Sequence, residues 1–133
     1  MDANLNRARE GLRVLEEIAR LILEDSKLTS RCQSIRYGLN RAAGYYSETN
    51  LLSKRNVRTD PGRPTLRRNS GKHSLYHNVC VANARRIEEG LRVLEEFSRL
   101  DSLKKSRNFG LLRFRVYSLE QELARKLSSL HHR

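Results

Sequence analysis

Several things are scarce in this 133-residue chain. There is no tryptophan, and proline and cysteine each occur twice. Few prolines mean few enforced breaks. With 38% hydrophobic and 32% charged residues, the composition excludes disorder and suits a helical domain with a thin core. No strictly apolar run exceeds three or four residues, as at Leu21–Leu23, which excludes a bilayer-spanning segment. Met1 is not followed by the basic-then-apolar pattern of a secretory leader, so a cytoplasmic chain is expected. Cys32 and Cys80 have no C-x-x-C neighbour, which argues against a metal or redox centre. Both lie in periodic apolar segments and are expected to be reduced, buried thiols. The chain is too short for a barrel of eight strands and eight helices, and a single domain over residues 1–133 is expected.

What is abundant is positive charge. The net charge is +12, and 21 of the 27 basic residues are arginine, the residue suited to two-point grips on phosphate or carboxylate. The excess lies in residues 27–78 and 102–133, while 2–26 and 79–101 are slightly acidic. No lysine block interleaved with aromatics occurs, so nucleic acid is disfavoured as a partner. The motifs G-x-G-x-x-G, H-E-x-x-H and G-x-S-x-G are absent. Ser70-Gly71-Lys72-His73-Ser74 has the look of a phosphate loop but lacks the earlier glycine, and His73 stands where Ser or Thr would hold Mg²⁺.

The chain repeats itself. Ala3–Leu21 and Ala82–Leu100, offset by 79, are identical at 13 of 19 positions, without a break from Glu10–Glu17 against Glu89–Glu96. After one extra residue the match resumes weakly, with Tyr37 and Leu39 answering Tyr117 and Leu119. Apolar residues at spacings of three and four mark four helices, expected near 3–24, 27–47, 79–101 and 106–130. Asp25-Ser26 and Asp101-Ser102 suit the turns within each helix pair. The predicted fold is an all-α antiparallel four-helix bundle of two duplicated hairpins. Repeat one covers 2–47 and repeat two 79–133. A basic crossover, 48–78, holds both prolines together with Arg55, Arg58, Arg63, Arg67 and Arg68. Leu5 answers Ala84 and Ala8 answers Ile87, so large and small residues swap across the predicted core.

Helices one and three carry a second stripe, Asn4, Arg7, Gly11, Val14, Ile18, Leu21 and Asn83, Arg86, Gly90, Val93, Phe97, Leu100. Its apolar second half is expected to pack. Its first half offers an amide, a guanidinium and a bare backbone patch, flanked by Glu10 or Glu89. A helical glycine costs about 1 kcal/mol relative to alanine, so two retained glycines imply either close helix approach or room for a ligand. The arginines either bind an anion or exchange ion pairs, Arg7 with Glu89 and Arg86 with Glu10. Arg13, Glu16, Glu17 and Arg20, and their partners Arg92, Glu95, Glu96 and Arg99, are expected to form solvated ion-pair faces without chemistry.

Asp2-Ala3-Asn4-Leu5-Asn6-Arg7-Ala8-Arg9-Glu10-Gly11-Leu12-Arg13-Val14 with Glu16-Glu17 resembles the small helical domain that precedes thiamine phosphate synthase in some bacteria. That domain also occurs alone as a hydroxymethylpyrimidine phosphate kinase. The family pattern is a helical duplication, a central R-D…D-x-G-T segment, then A-N-x-x-R-x-x-E-[AG]-L-R-V-L-E-E. Here the central segment reads Arg55-Asn56…Asp60-Pro61-Gly62-Arg63, with Asn56 in place of the acid and Arg63 in place of the threonine. The family's E-x-x-R before the second block is missing or displaced to Arg67 or Arg68. The resemblance implies transfer of the γ-phosphoryl of ATP, with Mg²⁺, onto 4-amino-5-hydroxymethyl-2-methylpyrimidine phosphate. On that basis Arg7, Arg86, Arg55, Gly62 and Arg63 are expected to hold phosphates, Asn4 and Asn83 to read the pyrimidine, and Glu10, Glu89 and Asp60 to serve catalysis. It also implies a functional link to thiamine phosphate synthase. A non-catalytic binding or regulatory module of thiamine synthesis is the alternative, and a basic nucleic-acid-binding bundle the second. The sequence leaves homo-oligomerisation open.

Overall fold

In the computed structural model, residues 2–44 and 73–131 are described. Helix α1, Asp2–Glu17, continues into a π-helical turn, Ile18–Ile22, in which the Leu23 amide reaches back to the Ile18 carbonyl. Helix α2 is Ser26–Ala42, α3 is His73–Ser98 and α4 is Leu103–His131. Asp25 caps α2, accepting the Leu28 amide at 2.9 Å, and also pairs with Lys126 of α4. Ser102 caps α4 in the same way through the Lys105 amide. Gly44 ends α2 with a left-handed φ of 83°, a conformation that glycine adopts without strain.

The four seams read from the sequence meet in one core. Leu12, Leu15, Ile35, Leu39, Ile87, Leu91, Leu94, Leu119, Leu123 and Leu127 are almost fully buried. Cys32 and Cys80 lie among them, unbridged, and burial pushes both thiols up to about 12. The expected all-α bundle of two hairpins is the observed fold. Among the described residues no helix is long and apolar enough to cross a membrane.

The two hairpins pack about a pseudo-two-fold axis, and reciprocal contacts fix it. A Cβ on Gly11 would lie 3.1 Å from the Asn83 carbonyl oxygen, and a Cβ on Gly90 would lie 3.1 Å from that of Asn4. Asn4 and Gly11 of α1 thus answer Asn83 and Gly90 of α3, in antiparallel register. On the opposite side of the bundle, Arg31 donates to Ser118 and Arg115 to Ser34, which sets α2 antiparallel to α4. Both repeat glycines therefore serve close helix approach, and the ligand-space alternative falls.

Three expectations need correction. Helix α3 begins at His73, so residues 73–78 belong to it and not to the crossover; the rest of 48–78 lies outside the described residues. The second half of the stripe does not pack throughout: Ile18 is buried, whereas Leu21, Phe97 and Leu100 are exposed. The register gives the reason. With Gly11 opposite Asn83, Ile18 is covered by the early turns of α3 near buried Tyr76. With Gly90 opposite Asn4, Phe97 and Leu100 lie beyond the part of α3 that faces the described residues of α1. Finally, Glu16 and Glu95 are not on solvated faces. Glu16 pairs with Arg36 at 3.1 Å and accepts from Gln33, and Glu95 pairs with Arg113 at 2.8 Å, each joining the helices of one hairpin.

Candidate functional site

Helical spacing places Arg85, Glu88, Glu89 and Arg92 along one face of α3. Tyr117, Glu120 and Gln121 face them from α4 across a cleft of about 690 Å³. One wall is held in place from below. Glu95 accepts two hydrogen bonds from the Arg113 guanidinium, and Arg113 also donates to the Tyr117 hydroxyl at 3.2 Å. Phe114 meets the Tyr117 ring edge-on. The tyrosine ring is thereby fixed as one side of the cleft.

The floor is unusual. Glu88 is only 5% exposed, and its Oε2 is fully buried with no hydrogen-bond partner among the described residues. Its carboxyl lies within hydrogen-bonding reach of Glu120, and Arg85 approaches both acids, at 3.7 and 3.5 Å. Burial first, and then the Glu120 carboxylate, push Glu88 well above the usual carboxylate range, to about 8. Two ionised acids so placed would repel. One proton held between them removes the repulsion, and the pair titrates as a unit.

The cleft gathers some of the expected residues and not others. Glu89 lines it, exposed. Arg7 and Arg86 are exposed and lie on the α1–α3 ridge, between the two glycine contacts. Among the described residues, no ion pair joins Arg7 to Glu89 or Arg86 to Glu10, so the expected exchange does not form. Asn83 spends its amide on its own helix, donating to the Val79 carbonyl at 2.9 Å. Asn4 is half-buried and turns its carbonyl toward Gly90, while Glu10 is exposed on α1. Arg55, Asp60, Gly62 and Arg63 lie outside the described residues, as does Asn56. The sequence reading missed Arg85, Glu88, Tyr117, Glu120 and Gln121, and gave Arg92 only its solvated pair with Glu96, which does form at 3.0 Å. A signal for Glu88 was present. Between the matched Arg7/Arg86 and Glu10/Glu89 the copies reverse charge, Arg9 against Glu88.

Comparison with known proteins places this architecture. The ThiD2 family matches residues 1–122. The chain belongs to the ThiD2 family. Proteins named thiamine-phosphate synthase are similar over most or all of the chain. That of Thermosynechococcus vestitus is 41% identical over 123 residues, covering 92% of this chain and 34% of its own length. The Nostoc sp. protein is 38% identical over the same shares, and the Rhodopirellula baltica protein is 32% identical over all of this chain and 36% of its own length. The chain thus spans about a third of the curated relatives it matches. No solved structure matches it. Within this ThiD2 domain, no group of three or more His, Cys, Asp or Glu is placed to hold a metal ion among the described residues.

Proposed function

We propose that this ThiD2 domain acts in thiamine biosynthesis as a kinase, moving the γ-phosphoryl of ATP onto 4-amino-5-hydroxymethyl-2-methylpyrimidine phosphate to give the diphosphate. The observation that carries the reading is a cleft with arginines and carboxylates facing each other in a chain that matches this family over almost its whole length. The acceptor is already a phosphate oxygen, so the reaction needs no serine, cysteine or histidine nucleophile. It needs neutralised charge and a fixed line of approach. Arg85 and Arg92 in the cleft, with Arg86 and Arg7 on the adjoining ridge, supply cationic grips. Arg55 belongs to the same set by family resemblance, and Arg63, which stands in place of the family's threonine, adds a further cation to the central segment.

Mg²⁺ binds through one or two carboxylates together with phosphate oxygens and water, and Glu89 and Glu120 line one cleft in a way that suits such a minimal donor set. When bound, it would neutralise charge on the transferring phosphoryl. The proteins named thiamine-phosphate synthase carry a related domain within a longer chain, and a diphosphate made here would be handed to that activity.

A second reading, a binding module without turnover, draws support from Asn56 and Arg63 in the central segment, where the family pattern it resembles has an acid and a threonine. Phosphorus NMR of the chain with the pyrimidine phosphate, ATP and Mg²⁺ separates the two. New diphosphate and ADP support the kinase; tight binding without turnover supports the module. Failure to bind, with salt-sensitive DNA binding instead, removes both. In calorimetry, Arg7→Ala and Arg86→Ala should each weaken pyrimidine phosphate binding by about 1.5–3 kcal/mol. Their folding should be intact, because both guanidinium groups are exposed.

A further inference from the structure

We propose that Tyr117 is the platform on which the substrate's pyrimidine ring stacks, with the ring's phosphate lying one helical turn further along the cleft, between Arg92 and Arg85. The inference rests on the pyrimidine phosphate reading above and assigns to it a residue that the family motif does not contain.

The argument begins with what holds this ring still. A singly exposed apolar side chain is ordinary and needs no support. Tyr117 is exposed, yet a chain of residues braces it. Its hydroxyl accepts from Arg113 at 3.2 Å, the Arg113 guanidinium lies 5.8 Å from its ring centre, and Phe114 meets the ring edge-on. Arg113 is held in turn by two bonds to Glu95. Glu95 has room because position 110 is glycine: a Cβ there would lie 2.7 Å from Glu95 Oε2. Each link removes rotamer freedom from the tyrosine before anything binds, which lowers the ordering cost of stacking a ring on it.

The duplicated copy lacks this brace. Tyr37 answers Tyr117, but Gln33, Ser34 and Ser30 stand where Arg113, Phe114 and Gly110 do. Tyr37 is correspondingly more exposed, 52% against 38%. The groove between α1 and α2 is also bridged, because Arg9 donates to Asn40 at 2.8 Å and to Asn6. The braced ring and the open cleft therefore fall on the same hairpin, although different positions produce them.

Register places the phosphate. Glu95 with Arg113, and Glu88 with Glu120, set α3 antiparallel to α4, so Arg92 lies across the cleft from Tyr117 and Arg85 lies toward the other end. One helical turn, about 5.4 Å, takes α4 from Tyr117 to the level of Glu120 and Gln121. The one-carbon link between the pyrimidine and its phosphate spans such a step. A phosphate at that level lies between the two guanidinium groups, which suit it as charge-assisted donors.

Calorimetry of the whole chain with the pyrimidine phosphate, with methyl phosphate and with ATP tests this. Tyr117→Leu should weaken pyrimidine phosphate binding roughly ten- to hundredfold, the scale of one lost stacking partner, and leave methyl phosphate and ATP as they were. Tyr117→Phe keeps a ring in place and should retain most of the affinity. The chain has no tryptophan, so tyrosine emission is directly visible. It should fall when the pyrimidine phosphate binds, and the fall should vanish in Tyr117→Phe. Unchanged affinity in Tyr117→Leu, an equal loss in both variants, an equal loss for methyl phosphate, or a loss confined to ATP overturns the inference and leaves the kinase reading standing. Failure of the pyrimidine phosphate to bind the unaltered chain overturns both. Should Tyr117→Leu not fold, the emission change of the unaltered chain and its absence in Tyr117→Phe decide alone.

Discussion

The two grooves of this bundle share a backbone plan and differ in chemistry. Between α1 and α2, Arg9 and Asn40 lock together across the gap. Between α3 and α4, the same two places hold Glu88 and Glu120, whose mutual repulsion a retained proton relieves, and Glu88 keeps a buried oxygen without a partner among the described residues. The supports beneath them are alike: Glu16 holds Gln33 in one hairpin, and Glu95 holds Arg113 in the other. Duplication preserved the scaffold, while two substitutions decided which groove stays open.

The comparison can be broken first at the core. Leu12 and Leu91 are equivalent and each 1% exposed. Leu12→Ala and Leu91→Ala should each cost about 2.7–5 kcal/mol in denaturant unfolding. A gap between them much above 1 kcal/mol would mean that the halves are not energetic equals.

The glycines should then sharpen it. A Cβ on Gly11 would meet Ile87 Cγ1 at 2.5 Å in addition to the Asn83 carbonyl, whereas on Gly90 the nearest side-chain atom is Ala8 Cβ, at 3.9 Å. Gly11→Ala is expected to destabilise by about 1–3 kcal/mol. For Gly90→Ala the gain in helix propensity, about 1 kcal/mol, offsets most of the strain against the Asn4 carbonyl. Thermal melts giving equal losses would refute the asymmetry.

A smaller effect separates the grooves by pH. Unfolded, Glu88 titrates at an ordinary carboxylate value; folded, it keeps its proton to about 8. Between those values the folded chain binds more protons, so stability falls as pH rises through that window and levels off above it. Glu88→Gln should flatten this fall and melt higher than the parent near pH 8. A slope unchanged by the substitution would show that the acid pair is not its source.

The smallest expected change is at Asp25, whose carboxyl is held low by Lys126 and by the Leu28 amide. Its contribution is present above the usual aspartate range and is lost as pH falls through its lowered folded value. Asp25→Ala should cost about 1 kcal/mol at neutral pH and close to nothing in strong acid, as urea titrations at the two pH values would report.

Most of the fold was legible because its causes are local. Spacings of three and four residues mark the helices, and Glu10–Glu17 recurring as Glu89–Glu96 announces the two hairpins. The site was less so, because its causes are not. Glu88 sits next to Glu89 in sequence, yet one is buried and the other exposed, a difference set by how α3 packs and not by its local sequence. Glu95 was misjudged for the same reason, since Arg113 is 18 positions away. Phe97 and Leu100 follow a sound apolar stripe, and their exposure follows from the offset between α1 and α3. The start of α3 was hidden by the turn-rich residues ahead of it.

The contact of Ile87 with Gly11, against Ala8 with Gly90, carries a consequence for ancestry. Two separate identical hairpins meeting on a two-fold axis would present every side chain twice, so a bulky residue would always face its own twin's surroundings. A large partner on one side and a small one on the other is open only to halves that mutate independently. Two coding copies of the hairpin, each free to change alone, are therefore what this lopsided contact requires.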